Sequence, residues 1–125
     1  MTWYNEQLLI IRDQHFPKPD VVDRLIKAKA LMDRHFCDDL AVHSIAHRSL
    51  ISKFHFTRLF TRCYGRTPYQ YITERRILHA KELLIAKVSV TDTCFLLGFE
   101  SPTSFSAFFK KHTGFPPSAF AQKQA

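Results

Sequence analysis

Lys53, Phe54, Thr57 and Arg58 follow Ser52 within a single short stretch. On a helix, positions 54 and 58 lie one turn apart and position 57 sits beside them. A guanidinium can hold guanine O6 and N7 together. A threonine can donate to a base edge or touch a thymine methyl, which an exposed phenylalanine also suits. These are the residue types with which a helix reads base edges in a major groove. Forty-nine residues further on, the same places hold Pro102, Thr103, Ser106 and Ala107. Thr103 and Ser106 are the base-reading candidates there, and neither offers a two-pronged donor. The first set is therefore expected to supply most direct readout, and the second to lean on phosphate contacts and DNA shape. Phosphate partners are expected from Arg48, Ser52, Arg62, Arg66, Lys110 and Lys111, with help from free N–H groups at the helix starts.

A repeated frame positions these residues. Ser52, Phe56, Phe60, Gly65, Pro68 and Tyr71 match Ser101, Phe105, Phe109, Gly114, Pro117 and Phe120 at an offset of 49. The serine is an N-cap, and the aromatics four and eight residues on define a buried face. The glycine stops the helix, and the proline opens the next. A shorter helical segment precedes each copy, over 40–47 and 90–97. Helix, tight turn and helix, twice, on a basic chain predict two helix-turn-helix units.

The elements around the repeat follow from the same signals. Residues 3–15, with Trp3, Leu8 and Ile11, read as an extra helix ended by Pro17 and Pro19. Its role stays open between packing on the body, dimer contact and the tail of an upstream domain. Residues 20–36 read as a half-buried helix with Val21, Leu25, Ala28 and Met32 inward, and Asp39 as the cap of the next. Leu40, Ile45 and Ala46 are expected to face in on that next helix, and Phe56, Leu59, Phe60 and Cys63 on the one from Ser52 to Tyr64. Thr67-Pro68-Tyr69-Gln70 is a capping box that opens a long helix to Ala86, roughly 28 Å in length. Its inward residues are Tyr71, Ile72, Ile77, Ala80 and Leu84. Ser89 with Asp92 caps a helix that Gly98 ends. Ser101-Pro102 opens the second recognition helix, which runs to Thr113, and Pro117 opens a last short helix over 118–122. The predicted fold is all-α with about seven helices. It comprises an N-terminal extension (1–19), a first subdomain (20–66), a linker helix (67–87) and a second subdomain (88–125).

Charge follows this division. Residues 1–39 carry six Lys/Arg and seven Asp/Glu, while residues 40–125 carry twelve and four. The repeated region thus holds the basic excess, which favours a polyanion, nucleic acid before membrane. Hydrophobic residues make up 46%, which argues for a folded chain and against a disordered one. Cys37, Cys63 and Cys94 are widely spaced, with no C-x-x-C, and read as reduced thiols of a cytosolic protein. The run Leu8–Ile11 is too short for a membrane span or secretory signal. His43 and His47 stand four apart without the glutamate or third ligand of a metal site. No catalytic set, phosphate loop or cofactor site stands out, so neither enzyme activity nor a cofactor is expected.

The ordered set Arg76-Ile77-x-x-Ala80-x-x-Leu83-Leu84, then Gly98-Phe99-x-Ser101, Phe105, Phe108-Phe109-Lys110-Lys111 and Gly114-x-x-Pro117-x-x-Phe120 resembles the DNA-binding domain of the AraC/XylS family of bacterial transcription activators. The resemblance covers about residues 20–120. It implies two subdomains on one long helix, with recognition helices in successive major grooves about 34 Å apart on one face of DNA. It also implies an activator that works in the cytoplasm on nucleoid DNA and contacts RNA polymerase. Departures are Cys94 for a usual alanine, Ala107 where a basic reader is common, and Pro116 and Ala121 for the usual Ser/Thr and Arg. The chain is similar both to the stand-alone MarA/SoxS form and to a domain cut from a longer regulator. The competing reading is a helical-repeat protein-interaction module, for which two copies are few. Salt separates the two, because phosphate contacts make affinity fall steeply with ionic strength.

Overall fold

The computed structural model describes residues 19–38, 42–48 and 50–123, and the expectations for residues 3–15 and for Asp39 and Leu40 lie outside them. Seven helices and no strand occupy the described residues: α1 (Pro19–His35), α2 (Val42–Arg48), α3 (Lys53–Tyr64), α4 (Pro68–Ile85), α5 (Val90–Leu96), α6 (Pro102–Thr113) and α7 (Pro117–Lys123). Contacts divide the chain into two units, and the division falls between Ile72 and Thr73, inside α4. Cys37 and Asp38 belong with the second unit although their sequence neighbours belong with the first.

The first unit closes around Leu25, Met32, Ile45, Phe56 and Phe60, all fully buried. In α1 it is Val22, not Val21, that reaches the core, and Val21 packs on its flank. The stripe therefore runs in steps of three, three and four, still one face of a 3.6-residue helix. Phe60 stands 5.8 Å from Phe56 and meets Tyr71 edge-on at 5.9 Å. The Tyr71 hydroxyl donates to the Asp33 carboxylate, which also takes Lys29 Nζ at 3.1 Å. The start of α4 is thereby tied to α1 by an aromatic ring whose polar end is satisfied.

The second unit repeats this plan. Phe105 and Phe109 are 5.8 Å apart, and Phe109 meets Phe120 edge-on at 5.5 Å. Ile77, Ala80 and Leu84 of α4 and Cys94 and Leu97 complete the core. Arg76 anchors it from the side. Its guanidinium lies 4.4 Å from the Phe99 ring centroid and 5.5 Å from that of Phe108, and donates to the Leu97 carbonyl at 2.7 Å. Thr93 is fully buried and its hydroxyl has no hydrogen-bond partner among the described residues.

The two helix-turn-helix corners share one backbone hydrogen-bond pattern. Leu50 N–H donates to His47 O and Ile51 N–H to Ala46 O; Gly98 N–H donates to Phe95 O and Phe99 N–H to Cys94 O. By this pattern Leu50 corresponds to Gly98, an offset of 48, while the recognition helices keep 49. The second corner therefore holds one more residue before its N-cap. Leu50 takes a left-handed φ of 57° without being glycine, an unusual state for a γ-branched residue. At Gly98 (φ 84°) there is no room for a side chain, because a Cβ would collide with the Cys37 carbonyl oxygen.

Candidate nucleic-acid interface

Each recognition helix starts from a serine cap. Ser52 is extended (φ −63°, ψ 150°), and its hydroxyl oxygen accepts from His55 N–H at 3.2 Å. Ser101 accepts from Ser104 N–H at 3.2 Å, with Pro102 in the first turn. Both helices end at a left-handed glycine: Gly65 (φ 76°) donates to Thr61 O, and Gly114 (φ 85°) to Lys110 O. Neither has an acidic residue in its first turn. The positive end of each helix dipole is thus unopposed by a carboxylate and suited to a phosphate.

On α3 the buried side is Phe56, Leu59, Phe60, Cys63 and Tyr64. Lys53, Phe54, Arg58 and Arg62 are exposed, and Thr57 is half-buried. Phe54 keeps 72% of its surface in solvent. That is far too much for a core aromatic, and the ring does something else: the Arg58 guanidinium lies 4.9 Å from its centroid. A planar cation over an aromatic face is attracted by the ring quadrupole. Phe54 thus restrains the side chain best suited to guanine. The Thr57 carbonyl accepts the Thr61 hydroxyl at 2.7 Å. Burial pushes the Cys63 thiol up to about 11, with Arg62 opposing, so it stays neutral beneath this face.

On α6, Phe105 and Phe109 are buried. Thr103, Ala107, Lys110 and Lys111 are exposed, and Ser106 is half-buried. Thr103, Ser106 and Lys110 recur in steps of three and four and share one stripe that flanks the buried phenylalanine face. Lys110, Lys111 and His112 fill the last turn.

The expected phosphate residues are not all together. Ser52 and Arg62 belong to α3 and its cap, Lys110 and Lys111 to α6, and Arg66 follows Gly65, all of them exposed. Arg48 is apart: it lines a groove with Arg24, Lys27 and Arg34 of α1, in which no α3 residue takes part. Sequence reasoning missed this groove because its cations come from two helices. It also missed the role of Phe54 as a rest for Arg58, although their four-residue spacing was a usable signal. Among the described residues no three His, Cys, Asp or Glu side chains gather as metal ligands. No helix among them is long and apolar enough to cross a membrane.

A helix-turn-helix domain family matches residues 45–123. The probable transcription factor PqrA of Proteus vulgaris is 34% identical over 86 residues, which cover 68% of this chain and 70% of that protein. The lactose operon transcription activator of Staphylococcus xylosus is 29% identical over 116 residues, 87% of this chain but 42% of that protein. The chain thus spans less than half the length of this second relative. Among solved structures, the DNA-binding domain of the global transcriptional factor AdpA in complex with a target DNA superposes with a TM-score of 0.72 at 28% identity, covering 79% of this chain and 90% of that one. The duplicated corner and the two capped recognition helices are the parts these relatives would need in order to share a fold with it. The chain therefore belongs to the AraC/XylS family of helix-turn-helix transcription regulators and carries that family's sequence-specific DNA-binding domain.

Proposed function

We propose that this domain places α3 and α6 in successive major grooves of one duplex, that α3 does most of the base reading, and that the bound protein activates transcription by contacting RNA polymerase. The observation that carries the asymmetry is Arg58 stacked on an exposed Phe54 on α3, against Ala107 at the matching place on α6. A restrained guanidinium loses less freedom when it grips guanine and discriminates by geometry as well as charge. Lys53 and Thr57 add base contacts beside it. On α6, Thr103 and Ser106 provide single hydroxyls, and Lys110 and Lys111 favour the backbone. Ser52, Arg62 and Arg66 hold the first half to phosphates, with Arg48 a further candidate from α2. Residues 20–66 and 88–125 are the two reading subdomains and 67–87 the element between them. Activation and the polymerase contact rest on the family alone, and the working place is the cytoplasm, on nucleoid DNA.

Selection from a random duplex library at moderate salt tests the reading. Two enriched elements about 10 base pairs apart are expected, the stronger containing guanine. Arg58→Ala should flatten the stronger element, and Thr103→Ala with Ser106→Ala should leave it. If the Thr103/Ser106 pair abolishes sequence preference while Arg58→Ala leaves it unchanged, the assignment of the two halves is wrong.

A further inference from the structure

The first unit carries a second charged surface. Arg24, Lys27, Leu31 and Arg34 recur at i, i+3, i+7 and i+10, so they share one stripe of α1. With Ala28 and with Arg48 of α2 they line an open groove. The floor is apolar, formed by buried Ala28 and half-buried Leu31, and the rim holds four cations. Arg24 is paired with Asp20 at 3.3 Å. Lys27, Arg34 and Arg48 have no ion-pair partner among the described residues. The stripe points away from Leu25 and Met32, which face the core they share with Phe56 and Phe60 of α3. No residue of α3 lines the groove, so a duplex gripped by the outward side of α3 can leave it uncovered.

Two features identify the occupant. Unpaired cations call for an anion, and an apolar floor calls for an apolar side chain between the anionic groups. A bare phosphate backbone would leave that floor uncovered, whereas a polypeptide with carboxylates flanking a leucine would cover it. We propose that the α1–α2 groove docks an acidic segment of a partner protein. Its carboxylates rest on Lys27 and Arg34, its apolar side chain lies on Ala28 and Leu31, and the regulator remains on DNA.

The test is fluorescence anisotropy of a labelled peptide built of repeated Asp-Asp-Leu, titrated with the full chain at about 150 mM salt, where long-range attraction is screened. Its counterpart with Asn for Asp is titrated in parallel, and both titrations are repeated with saturating mixed-sequence duplex. The acidic peptide should bind at least about tenfold more tightly than the Asn form and stay bound when duplex is added. Lys27→Glu with Arg34→Glu should weaken the peptide at least about tenfold and the duplex by less than about threefold. If that pair lowers the melting temperature, Lys27→Gln with Arg34→Gln replaces it. Equal binding of the two peptides, displacement by duplex, or unchanged peptide binding by the variants would each overturn the proposal. A parallel loss of duplex affinity would make the groove a DNA-backbone surface instead.

Discussion

Replacing Gly98 by alanine should cost more than replacing either of the other two glycines, and the comparison isolates a single contact. All three are left-handed, at φ 76°, 84° and 85°. Alanine at such a φ is strained by about 1–2 kcal/mol, and it also stiffens the unfolded chain by a similar amount at each site. These terms cancel between the three variants. At Gly65 and Gly114 a Cβ would enter open space. At Gly98 it would meet the Cys37 carbonyl oxygen, and the two would have to separate by about 1 Å to reach ordinary contact. A backbone carbonyl cannot swing away as a side chain can. Overpacking of this kind costs a further 1–3 kcal/mol or so. Gly98→Ala should thus be about 1–3 kcal/mol less stable than Gly65→Ala or Gly114→Ala. At roughly 4–8 °C per kcal/mol for a unit of this size, the excess alone is worth several degrees. Urea titration followed by far-UV circular dichroism gives the midpoints, read at a common slope. Three equal losses would show that the approach of Cys37 to Gly98 constrains nothing.

Three further outcomes are expected. In a double-mutant cycle on DNA affinity, Arg58→Ala should cost about 1–3 kcal/mol and reduce the salt slope by about one. Phe54→Ala should cost about 0.5–1 kcal/mol with the slope unchanged, and strict additivity of the two would refute the stacked pair. Arg76→Met keeps the aliphatic stem but loses the bond to the Leu97 carbonyl and the stack on Phe99 and Phe108. It should destabilise the second unit by about 2 kcal/mol or more, and a calorimetric loss under 0.5 would contradict that role. Thr93→Val removes a buried hydroxyl that has no partner among the described residues and should raise stability by about 1 kcal/mol. A comparable loss in thermal melting would mean the hydroxyl is bonded after all.

The helices were legible in the sequence because their ends carry specific chemistry. Ser52, Ser101, Gly65, Gly114 and the Thr67/Gln70 box mark the ends of helices, and the box closes both ways, at 3.0 and 3.1 Å. Tyr71 and Phe120 were visible as matching members of the repeat, and each meets the corresponding phenylalanine edge-on. What escaped has no local signature. Leu50 is left-handed within a corner closed by its own N–H and that of Ile51, and nothing in a leucine announces that state. Lys87, at φ 69°, is similar. The change of offset from 48 to 49 falls in a corner, where backbone bonding and not side-chain pattern sets the register. In the candidate interface, Arg58 and Phe54 were readable as types but not as a stacked pair. The grouping of Arg48 with Arg24, Lys27 and Arg34 depends on α1 packing beside α2, a non-local event. Arg76 was visible as a motif residue, yet its bond to a carbonyl 21 positions away exists only in three dimensions.

The placement of Cys37 and Asp38 with the second unit bears on how the chain is made. A ribosome delivers the residues of α1 first, then these two, then the remainder of the first unit. Their docking site at Gly98 emerges about sixty residues later. Cys37 and Asp38 must therefore wait, solvated, while α1 and α2 already have partners to collapse with. Such a delayed, non-local closure is slow and leaves Cys37 and Asp38 open to proteases until the second unit has been made.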